Sequence, residues 1–80
     1  MSRTFHLTIA SVGATLFDGE AESATFPGAA GEFTILPNHE ALIATLKPGT
    51  ARIKTSEGKK DFPLESGVVE CSGKRVVVLV

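Results

Sequence analysis

His6, His39 and Cys71, with a scatter of carboxylates, are the side chains whose chemistry could support acid–base, nucleophilic or metal work. Two histidines are too few for a His-based metal site, and a lone cysteine excludes an internal disulfide or a multi-cysteine metal centre. Flanked by apolar residues, Cys71 reads as a small core filler. His39 and Glu40 are adjacent and could form an acid–base pair. On a strand, though, neighbouring residues point to opposite faces, so the pair would not converge. A carboxylate pair among Glu20, Glu22 and Glu32 is conceivable, yet so small a chain is expected to offer no deep pocket to hold it, and solvated surface is the better reading. The chain has no Gly-rich phosphate loop followed by Lys and Ser/Thr, and no Gly-x-Ser-x-Gly elbow. An enzyme would need a convergent set of titratable groups, so no catalytic residue, no cofactor and no metal is expected.

Composition narrows the partners. The 80 residues leave room for one small domain, expected to span 1–80 with no second domain beside it. Surface scaling gives a folded area of about 4,600 Å². The hydrophobic share of 42% and charged share of 21% suit a globular chain and argue against disorder. Eight Lys and Arg balance nine Asp and Glu, and the only aromatics are five Phe. Nucleic-acid binding usually needs a basic face, and stacking platforms need aromatics, so this composition argues against a dedicated nucleic-acid protein. Val76–Val80 is the longest purely apolar run, far short of a membrane helix. Leu7–Phe17 resembles a signal-peptide core but is broken by Thr8, Ser11, Gly13 and Thr15, so it reads as structure.

Turn signals punctuate the chain at short, even intervals: Gly13, Asp18-Gly19, Pro27-Gly28 through Gly31, Pro37-Asn38, Pro48-Gly49, Glu57-Gly58, Ser66-Gly67 and Ser72-Gly73. Such spacing suits strands and is too tight for most helices. Phe5, Leu7 and Ile9 alternate with His6, Thr8 and Ala10, and Ala51, Ile53 and Thr55 alternate with Thr50, Arg52 and Lys54. Pro63, between Phe62 and Leu64, lacks a ladder donor and marks an edge strand. The β-branched run from Arg75 to Val80 predicts a strand covered on both faces. Asp18-Gly19 suits a tight hairpin and Pro48-Gly49 a type II turn, while Lys59-Lys60-Asp61 reads as an exposed hairpin end. Glu40–Lys47 fits either a short helix (Leu42, Ile43, Leu46) or a strand (Leu42, Ala44, Leu46), and strand is favoured by its neighbours. The fold class is all-β.

The most specific block runs from Pro27 to Lys47. A Pro-Gly and a small-residue loop lead into Gly31-Glu32-Phe33-Thr34-Ile35-Leu36-Pro37-Asn38-His39, then a leucine-bearing segment and a Lys-Pro-Gly turn. This block resembles the epsilon subunit of F-type ATP synthases. Phe5-His6-Leu7, Leu16-Phe17-Asp18-Gly19-Glu20, Ala51-Arg52-Ile53, Leu64-Glu65-Ser66-Gly67-Val68-Val69-Glu70 and Val76–Leu79 extend the resemblance over nearly the whole chain. Asn38 stands where that family often has Gly, a mild change because Asn tolerates the left-handed region. Val68 replaces the second Gly of a Gly-Gly pair and so demands ordinary β dihedrals. The family's C-terminal helical hairpin has no counterpart here, so its ATP-binding residues are not carried over and a helical brake on hydrolysis is not expected.

The resemblance implies a flattened β-sandwich of about ten short, mostly antiparallel strands. It implies a non-catalytic central-stalk subunit linking the γ subunit to the polar loops of the membrane c-ring, for assembly and torque coupling. Carried over by position, Ala29, Ala30, Gly31 and Glu32 would face the c-ring. His39, Glu40, Ala41, Leu42 and Ile43 would lie near γ or the ring, with Leu42 equally placed to be core. A loop carboxylate meeting ring arginines would fix orientation. The expected location is peripheral, on the cytoplasmic face of the bacterial inner membrane, or the stromal face of the thylakoid for a plastid-encoded chain. A bare γ-binding face could also pair with itself. The competing reading is a free-standing sandwich adaptor binding a peptide along an open edge.

Overall fold

A computed structural model describes residues 3–38 and 40–80; His39 therefore lies outside the described residues. Nine strands form among them: β1 (Phe5–Ser11), β2 (Ala14–Ala21), β3 (Ser23–Gly28), β4 (Gly31–Ile35), β5 (Leu42–Leu46), β6 (Gly49–Thr55), β7 (Gly58–Leu64), β8 (Gly67–Ser72) and β9 (Arg75–Leu79). The all-β reading holds, and Glu40–Lys47 contributes a strand. No helix forms among these residues, so none is long and apolar enough to cross a membrane.

The strands follow the order β2-β1-β9-β8-β5-β3-β6-β7, with β4 on the other side of β3. All pairings are antiparallel except β1 with β9. Between β5 and β3 the ladder narrows to one residue pair, Gly28 opposite Leu46. Flanking bonds from Ala29 N to Thr45 O and from Lys47 N to Pro27 O, each 2.9 Å, hold that corner. The sheet folds over there into two layers, β2-β1-β9-β8-β5 and β4-β3-β6-β7.

Period-two alternation fills the space between the layers. Phe5, Leu7, Ile9, Val69, Cys71, Val76 and Val78 from the first meet Ala24, Phe26, Ile35, Ala51 and Ile53 from the second, all 2% exposed or less. Far from the corner, Phe17 of β2 and Phe62 of β7 meet edge to face with ring centres 6.0 Å apart, a favoured aromatic geometry. The two ends of the strand order are thereby brought together. The domain measures 34 × 23 × 20 Å and exposes 4962 Å², above the scaling value for a rounder body.

Four local expectations need correction. Asp18 and Gly19 lie inside β2, opposite Thr8 and Leu7; the hairpin turns instead at Val12-Gly13, where Gly13 takes φ 79°. Long-range pairing with β1 overrides the local turn preference, and the extra residue Leu16 makes a bulge. Pro48-Gly49 is not a type II turn, since Gly49 has no positive φ and opens β6. Glycine is needed there for space, because a Cβ would sit 2.7 Å from Pro27. The run Arg75–Val80 is covered on one face only: Val76 and Val78 are buried, while Arg75 and Leu79 are exposed. Finally, Glu40 lies outside any strand, so the strand argument against its pairing with His39 does not apply.

Other expectations hold. β7, with Pro63, is the terminal strand of the order. Lys59, Lys60 and Asp61 are exposed beside the β6–β7 turn. Asn38 takes φ 69°, the left-handed conformation its replacement of Gly demanded.

Candidate docking surface

The β3–β4 hairpin displays the first group of candidate residues. Its turn is Ala29-Ala30, both exposed, followed by Gly31 at φ 137°, a conformation open to glycine. Glu32 is exposed but belongs to β4, opposite Pro27, rather than to a loop. The hairpin packs closely. A Cβ on Gly28 would lie 2.5 Å from Gly31 O and 2.8 Å from the Phe33 ring, which covers that glycine and stacks at 5.7 Å on Phe26.

β5 displays the second group, and its register separates their roles. Leu42, opposite Cys71, is half-buried against the core, whereas Ile43, opposite Glu70, is 73% exposed. Ala41 and Glu40 precede the strand and are exposed. Ile43, Ala44 and Thr45 share a shallow groove of about 300 Å³ with Gly28, Phe33 and the hairpin turn. The structure thus brings Ala29, Ala30 and Gly31 together with Ile43. It sets Leu42 apart as packing.

The rest of the surface follows from the pairing. On the outer face of the first layer, Thr45 neighbours Val68, Leu79 and Ala10 in one row; Ile43 neighbours Glu70, Val77, Thr8 and Asp18 in the next. Ile43, Val68 at 41% and Leu79 at 59% exposure give this face an apolar area that no other element among the described residues covers. Sequence reasoning missed Val68, Val77 and Leu79 as surface residues. It took the valine run as two-sided core.

It also missed a polar cluster beyond that area. His6 Nε2 donates to Asp18 Oδ1 at 2.6 Å, and Nδ1 lies 3.3 Å from Glu20 Oε2, a second bond when the ring carries both protons. Thr4 donates to Glu20 Oε1 at 2.8 Å, and Thr8 to Asp18 Oδ1 at 3.1 Å. The bond from His6, then that from Thr8, holds the Asp18 carboxyl below its usual range. These residues are 10 to 16 positions apart, so only the β1–β2 register reveals them. On the inner side, burial pushes the Cys71 thiol up, away from the reactive thiolate. Among the described residues, no group of three His, Cys, Asp or Glu side chains could hold a metal ion.

Fold and surface together define a small β-sandwich domain whose distinctive groups lie on open faces, around a corner hairpin. The chain belongs to the family described as ATP synthase, Delta/Epsilon chain, beta-sandwich domain, whose sequence profile matches residues 4–80. It is 38% identical over 77 residues to the ATP synthase epsilon chain of Bordetella parapertussis, covering 95% of this chain and 55% of that one. With the epsilon chain of a Nitratiruptor species it shares 38% over 78 residues, 96% of this chain and 60% of the relative. The chain therefore spans little more than half the length of these relatives. Its fold matches a chain in the Euglena gracilis mitochondrial ATP synthase with TM-score 0.92 at 18% identity, over 100% of this chain and 52% of that one. A second match, TM-score 0.75 at 16% identity, is to the central stalk and c-ring of the Tetrahymena thermophila mitochondrial ATP synthase, over 94% and 61%.

Proposed function

We propose that this chain works as the β-sandwich part of a central-stalk subunit in an F-type ATP synthase, binding the γ subunit and the polar loops of the c-ring. Its role on this reading is assembly and torque coupling rather than catalysis, at the surface of the ion-translocating membrane. The supporting observation is the convergence of the β3–β4 turn with Ile43–Thr45 in one groove. The resemblance assigns Ala29, Ala30, Gly31 and Glu32 to the ring and His39, Glu40, Ala41, Leu42 and Ile43 to γ or the ring, and Ile43 is the member of the second set that lines the groove. A single corner of the sandwich can therefore meet both partners. On this reading the neighbouring apolar area of Val68, Val77 and Leu79 would extend the γ contact, and the exposed carboxylate of Glu32, near the hairpin end, would pair with ring arginines.

A two-layer sandwich is physically suited to this task. Its interior is close-packed and resists deformation, so force applied at the hairpin is passed to the γ-facing sheet instead of being absorbed. The experiment is affinity capture of the tagged chain from native bacterial membranes, with identification of the proteins retained. Recovery of γ with c subunits is expected. Recovery of neither would refute the reading.

A further inference from the structure

We propose that the outer face of the second layer carries an anion site for a compact polyphosphate, bound through its phosphate groups alone. The site is an open groove of about 430 Å³. Arg52 and Lys54 of β6 and Lys59 of β7 line it, with the hydroxyls of Ser23 and Thr25 on β3 and the carboxylate of Asp61 at its rim.

The register concentrates positive charge here against the fold's own interest. Lys54 stands directly opposite Lys59, and like charges so placed repel and destabilise a strand pair. Ser23 faces Lys54 on its other side, and Thr25 faces Arg52. None of Arg52, Lys54 or Lys59 forms an ion pair with a described residue, although Asp61 is opposite Arg52 in the ladder. Three cations against one acid leave two net positive charges in the groove. Thr25 and Thr34 share a hydrogen bond of 2.8 Å, which fixes the Thr25 hydroxyl at the groove wall. Two ammonium groups, a guanidinium fork and neutral hydroxyls are the donors that adjacent phosphate groups accept from.

The chemistry around the groove narrows the ligand. No aromatic ring lines it, so nothing there stacks on a nucleobase. Its one hydrophobic lining residue, Ile53, is buried, so the groove offers no apolar side chain to a lipid boundary. Single exposed ion pairs are weak and salt-screened, which favours a ligand carrying several charges on neighbouring groups over a lone monovalent anion. Inorganic diphosphate is the simplest molecule of that class.

The test follows the thermal unfolding of the chain in inorganic diphosphate and in sodium chloride of equal ionic strength. Vesicles of phosphatidylglycerol in phosphatidylcholine provide a parallel sedimentation arm. Diphosphate should raise the midpoint above the chloride control, because a ligand that binds only the folded chain stabilises it. Lys54→Gln and Lys59→Gln should each weaken the apparent affinity about fivefold. In ligand-free buffer the same variants should unfold at a higher temperature than the wild type, since each removes the repulsion. That opposite pair of signs distinguishes a binding site from a structural role. Equal midpoints in diphosphate and chloride would overturn the proposal. So would a diphosphate response that both variants retain in full, or vesicle binding without any diphosphate response.

Discussion

Gly28→Ala sets a methyl group at the corner where β3, β4 and β5 meet, and the structure leaves no room for it. The new carbon would lie 2.5 Å from Gly31 O and 2.8 Å from two atoms of the Phe33 ring. The ring could rotate aside, but the carbonyl belongs to the facing strand backbone, opposite Gly28 in the ladder, and can move only by parting that strand. Overpacking costs about 1–3 kcal/mol, and a backbone clash puts this variant at about 3. For a domain of this size each kcal/mol shifts the unfolding midpoint by about 4–8 °C, so a fall of about 12–24 °C is expected. Two other glycines calibrate the figure. Gly13→Ala meets nothing within 4 Å but must hold φ 79°, costing about 1–2 kcal/mol. Gly19→Ala makes only an ordinary 3.6 Å contact with the Phe17 ring within a regular strand, and should be neutral or stabilising. Thermal unfolding by circular dichroism, with urea unfolding as a check on two-state behaviour, measures all three. A Gly28→Ala midpoint no lower than that of Gly13→Ala would refute the close-approach argument.

Leu7→Ala and Ile9→Ala each empty a fully buried position and should destabilise by about 2–4 kcal/mol in urea titrations, whereas Val12→Ala at the exposed turn should change little. Because the Asp18 carboxyl is held below its usual range in the folded chain, its contribution is present above the unfolded value of about 3.9 and fades as pH falls through the lower folded value. Asp18→Asn should therefore flatten the acid limb of the stability–pH profile there, and an unchanged limb would show that its bonds to His6 and Thr8 contribute nothing. Glu32→Lys should leave the unfolding midpoint unchanged while ATP-driven proton pumping in reconstituted membrane vesicles falls more than hydrolysis does; pumping at the wild-type level would remove Glu32 from the ring contact.

Much of the fold was legible because burial and strand period coincide. Phe5, Leu7 and Ile9, and Ala51 and Ile53, alternate strictly and all face inward. Local conformational demands were legible too, as with Asn38. Misreadings arose where a residue satisfies a distant constraint. Asp18-Gly19 has turn composition but is held straight by β1, and Gly49 is small to clear Pro27 rather than to turn. The valine run was read as two-sided because sequence does not reveal that β9 pairs in parallel with β1 and leaves Leu79 outward. The hairpin and β5 candidates were found through a contiguous motif. The His6 cluster is assembled by the β1–β2 register, which no local pattern announces. The cations of the Arg52–Lys59 groove lie on one local hairpin whose outward residues the alternation shows, and only the addition of Ser23 and Thr25 depends on distant pairing.

Binding of γ to the outer face of the first layer is the central claim, and Ile43→Asp tests it most directly. Ile43 is 73% exposed and points away from the core, so the change should leave the unfolding midpoint within a few degrees of wild type. Titration calorimetry of purified γ subunit with the wild-type chain and the variant is the measurement. A charge introduced into a desolvated apolar contact should weaken binding by about 1.4 kcal/mol or more, that is, at least tenfold. Wild-type affinity in a fully folded Ile43→Asp chain would contradict the account.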